Sequence, residues 1–228
     1  MARYIYGLDP GSKHDPFGIV IHKISDYNPD KKTIPILVTL RKLVDMPYDE
    51  ILDIIRKELF SKYRPYYIVS DYTNEKSFTD FLIERFGTDK VEKVTFSTSS
   101  KAMLKDDGRA ILKIGYKFQN PKSVKDSKLK EMLVELIQQL KNEQILTTKS
   151  GKTTFDHPRG EHNDLAIAWE LSIHGCRKFL PKVPSTPVVV TTNYKFPDRR
   201  FYTNNWDPVP ELRDPGITIT DVITWFPS

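Results

Sequence analysis

The stretch Ile5 to His22, IYGLDPGSKHDPFGIVIH, constrains the chain most, because it sets one carboxylate where an apolar strand breaks into a glycine turn. Tyr4, Ile5, Tyr6 and Leu8 read as a buried strand, Pro10 and Gly11 end it, and Phe17, Ile19, Val20 and Ile21 begin a second strand after a short loop. Asp9 then stands at a strand end, in the mouth of a sheet. A carboxylate half shielded from water is costly to keep charged unless a divalent cation compensates it, so Asp9 is a candidate first metal ligand. Asp-Pro-Gly is also ordinary turn chemistry, and on this stretch alone a structural turn aspartate is an equal reading.

The following segments place two more acids in comparable positions. After a polar turn over 26–32, Thr33 to Val44 reads as a third strand, completing an antiparallel meander. Ile51, Leu52, Ile54, Ile55 and Leu59 recur at helical spacing behind Pro47, and Tyr66, Tyr67, Ile68 and Val69 form a continuous apolar run ending at Ser70-Asp71. That run predicts a central parallel strand with Asp71 at its carboxyl end. A short right-handed crossover brings such a strand beside the first, and Asp71 beside Asp9. Phe78, Phe81, Leu82 and Phe86 mark a helix closed by Gly87, Val91 to Phe96 a fifth strand, and Lys128 to Asn142 an amphipathic helix. Between them, Lys101 to Leu104 opens a helix that Gly108 and Gly115 are expected to interrupt. Gln144 to Phe155 alternates around Ser150-Gly151 as a β-hairpin, and Glu161-His162-Asn163 starts a last helix with Asp164 in its first turn.

Charge and composition narrow the partners. With 228 residues the chain is long enough for one domain plus a tail, and no apolar run approaches the roughly 18 residues that span a bilayer, so no membrane is expected. One cysteine, Cys176, excludes an internal disulfide and fits a reducing compartment. The net charge of +5 is modest, but residues 99–160 hold thirteen Lys and Arg against seven Asp and Glu, an excess of six that accounts for all of it. Polyanion binding is expected there, through Lys101, Lys105, Arg109, Lys149, Lys152 and Arg159. Beyond Cys176 eight prolines break every helix, and 178–228 reads as a proline-rich tail following a domain over 1–177.

Three acids at element ends, Asp9, Asp71 and Asp164, suit hard cations such as Mg²⁺ and Mn²⁺, two of which can clamp a phosphodiester. The pattern resembles the ribonuclease H superfamily: three meander strands, then parallel strands with crossover helices, and acids at strand one, strand four and the last helix. Its local motifs are similar to those of the nuclease domain of large terminase subunits from tailed viruses. The matching pieces are Gly7-Leu8-Asp9-Pro10-Gly11 with a further acid at Asp15, Ile68-Val69-Ser70-Asp71, and His162-Asn163-Asp164-Leu165-Ala166-Ile167-Ala168. The resemblance covers residues 3 to 175. Asn163 departs from the usual first aspartate of the last motif, leaving Asp164 as the matching acid. A hairpin before the last acidic helix is likewise a feature of that branch.

The resemblance implies an α/β mixed sheet flanked by helices, and a two-metal endodeoxyribonuclease that cuts concatemeric viral DNA during packaging. Asp9, Asp71 and Asp164 would be its catalytic metal ligands, with Asp15 and His162 as auxiliaries. Partners would be double-stranded DNA, a terminase ATPase domain and, through the tail, the portal, in the host cytoplasm beside the procapsid. The sequence has no Gly-x-x-x-x-Gly-Lys-Ser/Thr phosphate loop, so the motor is not in this chain, and its start at the first strand favours an excised domain. Two other readings remain: a Holliday-junction resolvase-like nuclease, which usually has a glutamate where this chain has Asp71, and a non-catalytic packaging or assembly module.

Overall fold

A computed structural model describes residues 2–11, 15–25, 33–73, 75–142, 144–147, 153–156 and 163–180. Five strands form one sheet in the order β3 (Ile36–Leu43), β2 (Phe17–Ile24), β1 (Arg3–Asp9), β4 (Pro65–Asp71), β5 (Val91–Val94). β1 pairs antiparallel with β2, and β2 with β3, while β4 runs parallel to β1, and β5 to β4. This is the expected mixed sheet, with the strand that carries Asp9 at its centre.

Period-two alternation sends the side chains of β1 to two different cores. Tyr6 and Leu8 join Phe17, Ile19 and Ile21 beneath α1 (Tyr48–Ile54), the π-helical segment Ile55–Phe60 that continues it, and α2 (Lys76–Phe86). Ile5 joins Val20, Ile24 and Leu40 beneath α3 (Thr98–Lys113), α4 (Ser127–Asn142) and α5 (Asp164–Arg177). Two helical layers thus sandwich the sheet. In α5, twelve of fourteen residues are buried, Leu165, Leu171 and Ile173 completely, and each such side chain contributes about 1.5–3 kcal/mol.

The central helix lies almost on the sheet backbone. A Cβ on Gly7 would overlap the main chain of Ala168 and Ser172, so only glycine lets α5 approach β1 this closely. A buried polar chain locks the same contact. Ser172 Oγ donates to the Ile5 carbonyl at 3.1 Å, which commits its only proton, so His22 Nδ1 donates to Ser172 Oγ at 2.8 Å. His22 Nε2 is then the acceptor for Tyr116 OH at 2.9 Å. Burial pushes the His22 ring down to about 3, which keeps it neutral in this role.

One sequence expectation changes. α3 is one unbroken helix through Gly108, because that glycine serves helix packing: a Cβ there would stand 3.1 Å from Trp169 Cζ3 of α5. The helix ends just before Gly115, as expected, where that glycine takes φ of 103°. β6 (Gln144–Thr147) and β7 (Thr153–Asp156) pair as the expected hairpin. Its tip, with Lys149 and Lys152, lies outside the described residues, as do Arg159, His162, the turn at 26–32 and the tail from 181.

Candidate functional site

Strand register alone brings the first two acids together. Leu8 pairs with Ser70, so the next residues, Asp9 and Asp71, end β1 and β4 at the same edge of the sheet. Alternation puts both on the α5 side: Gly7 lies under Ala168 and Ser172, and Val69 packs against Gly175. The third acid arrives from above. Asp9 pairs with Gly18 across β2, and a Cβ on Gly18 would overlap the carbonyl of Asp164, the first residue of α5. The bare glycine is what lets the amino end of α5 descend to the strand end that bears Asp9.

Asp9, Asp71 and Asp164 are only 7%, 5% and 6% exposed, so their charges meet in a low-dielectric setting. Burial pushes the Asp9 carboxyl well above the ordinary carboxylate range, and the charges of Asp71, Asp164 and Asp15 push it further. Burial also raises Asp71, opposed by hydrogen bonds from Thr73 and Tyr72 and by the charge of Lys101. Three mutually repelling buried carboxylates are an electrostatic sink for a cation, and all-oxygen donors suit a hard divalent ion. Among the described residues, however, no three His, Cys, Asp or Glu side chains stand as a preformed metal cage. The acids converge electrostatically and would have to close on an ion.

The remaining sequence candidates separate. Asp15 is exposed and acts on Asp9 through space. Lys101, half-buried in the second turn of α3, is near enough for its charge to stabilise ionised Asp71. Arg109 is partly exposed and reaches Asp106 one turn earlier at 3.4 Å. Lys105 is a correction: it is 7% exposed and forms an ion pair with buried Glu170 of α5, so it is part of the interior and not of a phosphate-binding surface. α3 turns this lysine inward because Leu104, Gly108, Ile111 and Leu112 on the same side are buried against its neighbours.

Residues not singled out from the sequence complete the site's scaffold. Thr73 donates to Asp71 Oδ1 through both its backbone N–H at 2.8 Å and its hydroxyl at 2.5 Å. Thr79 of α2 donates to the Asp71 carbonyl at 3.2 Å, and Ser70 Oγ lies 2.9 Å from the Thr79 hydroxyl. The Asp-Tyr-Thr order at 71–73 is the available signal, because an aspartate accepting from the residue two positions on is a recognised turn pattern.

No family model matches the sequence, and no curated protein matches it. Among solved structures, the large terminase nuclease from thermophilic phage G20c crystallised with bound magnesium is similar at 15% identity, over 75% of this chain and 80% of that chain, with a TM-score of 0.51. The same nuclease with bound cobalt gives 14% identity, the same coverage and a TM-score of 0.51. Sheet order, flanking helices and these superpositions together show that the chain shares the fold of the G20c large terminase nuclease, with the ribonuclease H-like order of antiparallel then parallel strands.

Proposed function

We propose that this chain is a divalent-metal-dependent endodeoxyribonuclease, the nuclease part of a large terminase, that cuts concatemeric viral DNA during genome packaging. What supports the reading is that buried Asp9 and Asp71 end adjacent parallel strands, while buried Asp164 opens α5 against Gly18, the strand partner of Asp9. The similar G20c nuclease holds magnesium or cobalt in its crystals, which supports divalent-ion use here.

Asp9, on the central strand, Asp71 and Asp164 would be the residues that hold the two Mg²⁺ or Mn²⁺ ions. Ions so held would neutralise charge on the attacking and leaving oxygens of a phosphodiester in a displacement by water. Without them, negative charge on these acids would repel an approaching phosphate. Lys101 counters that charge beside Asp71. Lys101, Arg109, Lys149, Lys152 and Arg159 would hold the duplex through phosphates, contacts that position DNA without reading its sequence. Asp15 and His162 are auxiliaries in this reading. Its partners are double-stranded DNA, a terminase ATPase domain and, through the tail, the portal, beside the procapsid in the host cytoplasm. Among the described residues no helix is long and apolar enough to cross a membrane.

The test is conversion of supercoiled plasmid to nicked, linear and shorter DNA in Mn²⁺ or Mg²⁺, with chelator and Asp9→Asn as controls. Metal-dependent cutting lost in the variant is expected. A folded wild-type protein that binds duplex DNA but never cuts it would favour the assembly-module reading.

A further inference from the structure

Asp71 differs from an acid merely parked at a strand end, because a continuous hydrogen-bond relay fixes one of its two oxygens. The backbone N–H of Phe96 donates to Thr73 Oγ1 at 2.8 Å, and Thr73 Oγ1 lies 2.5 Å from Asp71 Oδ1. A hydroxyl has one proton, and the Phe96 amide occupies an acceptor position on this one, so the proton is directed at the carboxylate. Oδ1 receives a second donor from the Thr73 backbone at 2.8 Å. The main chain around it is tied down as well, with Tyr72 N–H donating to the Val94 carbonyl at 2.8 Å and Thr79 to the Asp71 carbonyl. Two donors from one residue on one oxygen fix the plane of the Asp71 carboxylate.

We infer that Thr73 is the positioning residue of the proposed metal site: its hydroxyl, oriented by the Phe96 amide, holds Asp71 Oδ1 and so fixes the orientation in which the carboxylate would meet a cation. The inference rests on the nuclease reading. Outer partners of this kind set the orientation and basicity of a ligand, and their loss typically weakens metal binding by about 10–100-fold. The relay also has a direction along the chain. Phe96 immediately precedes Ser97, whose side chain caps α3 in a reciprocal box with Ser100, and Lys101 follows within that helix. The element that carries a candidate phosphate contact and the element that orients a candidate ligand are therefore joined through one threonine hydroxyl.

The experiment is calorimetric titration of Mn²⁺ into the full chain, without DNA, for wild type, Thr73→Val, Thr73→Ser and Asp71→Asn, with thermal melting of each. Valine keeps the shape of threonine and the backbone N–H bond, and removes only the hydroxyl. We expect Thr73→Val to weaken Mn²⁺ binding about 10–100-fold while still melting cooperatively, Thr73→Ser to restore wild-type affinity, and Asp71→Asn to lose the site. Equal affinity in wild type and Thr73→Val, with Asp71→Asn impaired, overturns the positioning role alone. A wild type that takes up no Mn²⁺ overturns the nuclease reading and this inference with it. Should Thr73→Val fail to fold, Thr73→Ala makes the same comparison, with unchanged affinity again the overturning result.

Discussion

Gly18 and Asp164 meet without any side chain between them: a Cβ on Gly18 would stand 2.8 Å from the Asp164 carbonyl carbon and overlap its oxygen. Because both partners at this contact are backbone, neither can rotate aside. Gly18→Ala must therefore lift the amino end of α5 from β2, at the overpacking cost of about 1–3 kcal/mol or more, and carry Asp164 away from Asp9. Chemical denaturation should show that loss, and Mn²⁺ affinity should fall with it. An alanine variant with wild-type stability would mean that α5 sits higher over the sheet than described.

Asp9→Asn should abolish cutting without damaging the fold. Burial, then repulsion from Asp71, Asp164 and Asp15, holds the Asp9 carboxyl well above the ordinary range. A raised carboxyl favours the folded state below its unfolded value and loses that contribution as pH rises through its folded value, so at neutral pH the metal-free charge is a burden. The amide removes the burden. In chelator at neutral pH the variant should melt at the same temperature as wild type or higher, and added Mn²⁺ should raise the wild-type midpoint far more than the variant's.

His174 gives the protein a pH dependence on the alkaline side. Burial lowers its ring, but hydrogen bonds with Asp107 at 2.6 Å and Glu92 at 3.4 Å, with the charges of both, outweigh burial and push it up to about 9. A histidine raised above its unfolded value stabilises fully below about 6.5, and that contribution disappears as pH climbs from there through about 9. On the order of 1–2 kcal/mol should be lost across that window. His174→Gln should flatten the pH profile of the melting temperature, and a wild-type profile already flat between pH 6.5 and 9 would contradict the pairing.

The positions of the three acids were legible because each closes an element whose pattern is strong: an apolar run stopped by Pro10, a continuous parallel strand ending at Asp71, and a helix opening at Asp164. Parallel pairing then follows from chain order. Helix α3 was not legible in the same way. Gly108 reads locally as a breaker and Lys105 as solvent-facing, and both readings are reversed by α5, through Trp169 and Glu170, some sixty residues away. A buried ion pair between distant residues has no local signature. Neither has a π-helical segment such as Ile55–Phe60, whose apolar spacing continues that of α1. Thr73 was missed for a different reason: its pattern is local, but a turn signal carries no hint that it orients a ligand.

Lys101 and Lys105 lie one turn apart and should behave oppositely. Lys101→Ala should lower the log–log salt slope of duplex binding by about 0.9 with little effect on stability. Lys105→Ala should leave the slope alone and destabilise the fold, because it breaks the buried ion pair with Glu170. Replacing the pair together, Lys105→Met with Glu170→Leu, should recover most of that loss. Filter binding across a salt series and urea melts separate the two lysines, and a changed slope in the double variant would return Lys105 to the DNA surface.

The last prediction concerns where the domain can be cut. The described core does not close at Arg177, the last residue of α5. Lys178 donates to Tyr67 OH at 2.9 Å and pairs with Glu92 at 2.8 Å. Phe179 packs edge-on against Tyr66 and Tyr67 with ring centroids 5.1 and 5.4 Å away, and Leu180 is 7% exposed. Lys178 and Phe179 cover the beginning of β4, the opposite end of the strand from Asp71, and Leu180 joins the core cluster of Ile5 and Val20. A chain ending at Leu180 should therefore fold and cut with wild-type metal dependence. A chain ending at Arg177 should lose about 2–4 kcal/mol through removal of the packed Phe179 and Leu180 side chains, yet keep the acids in place while it remains folded. Partner binding through the proline-rich segment should be absent from both. If the chain ending at Leu180 cannot fold, residues beyond it complete the core, and the nuclease domain extends further into the tail than these packing contacts require.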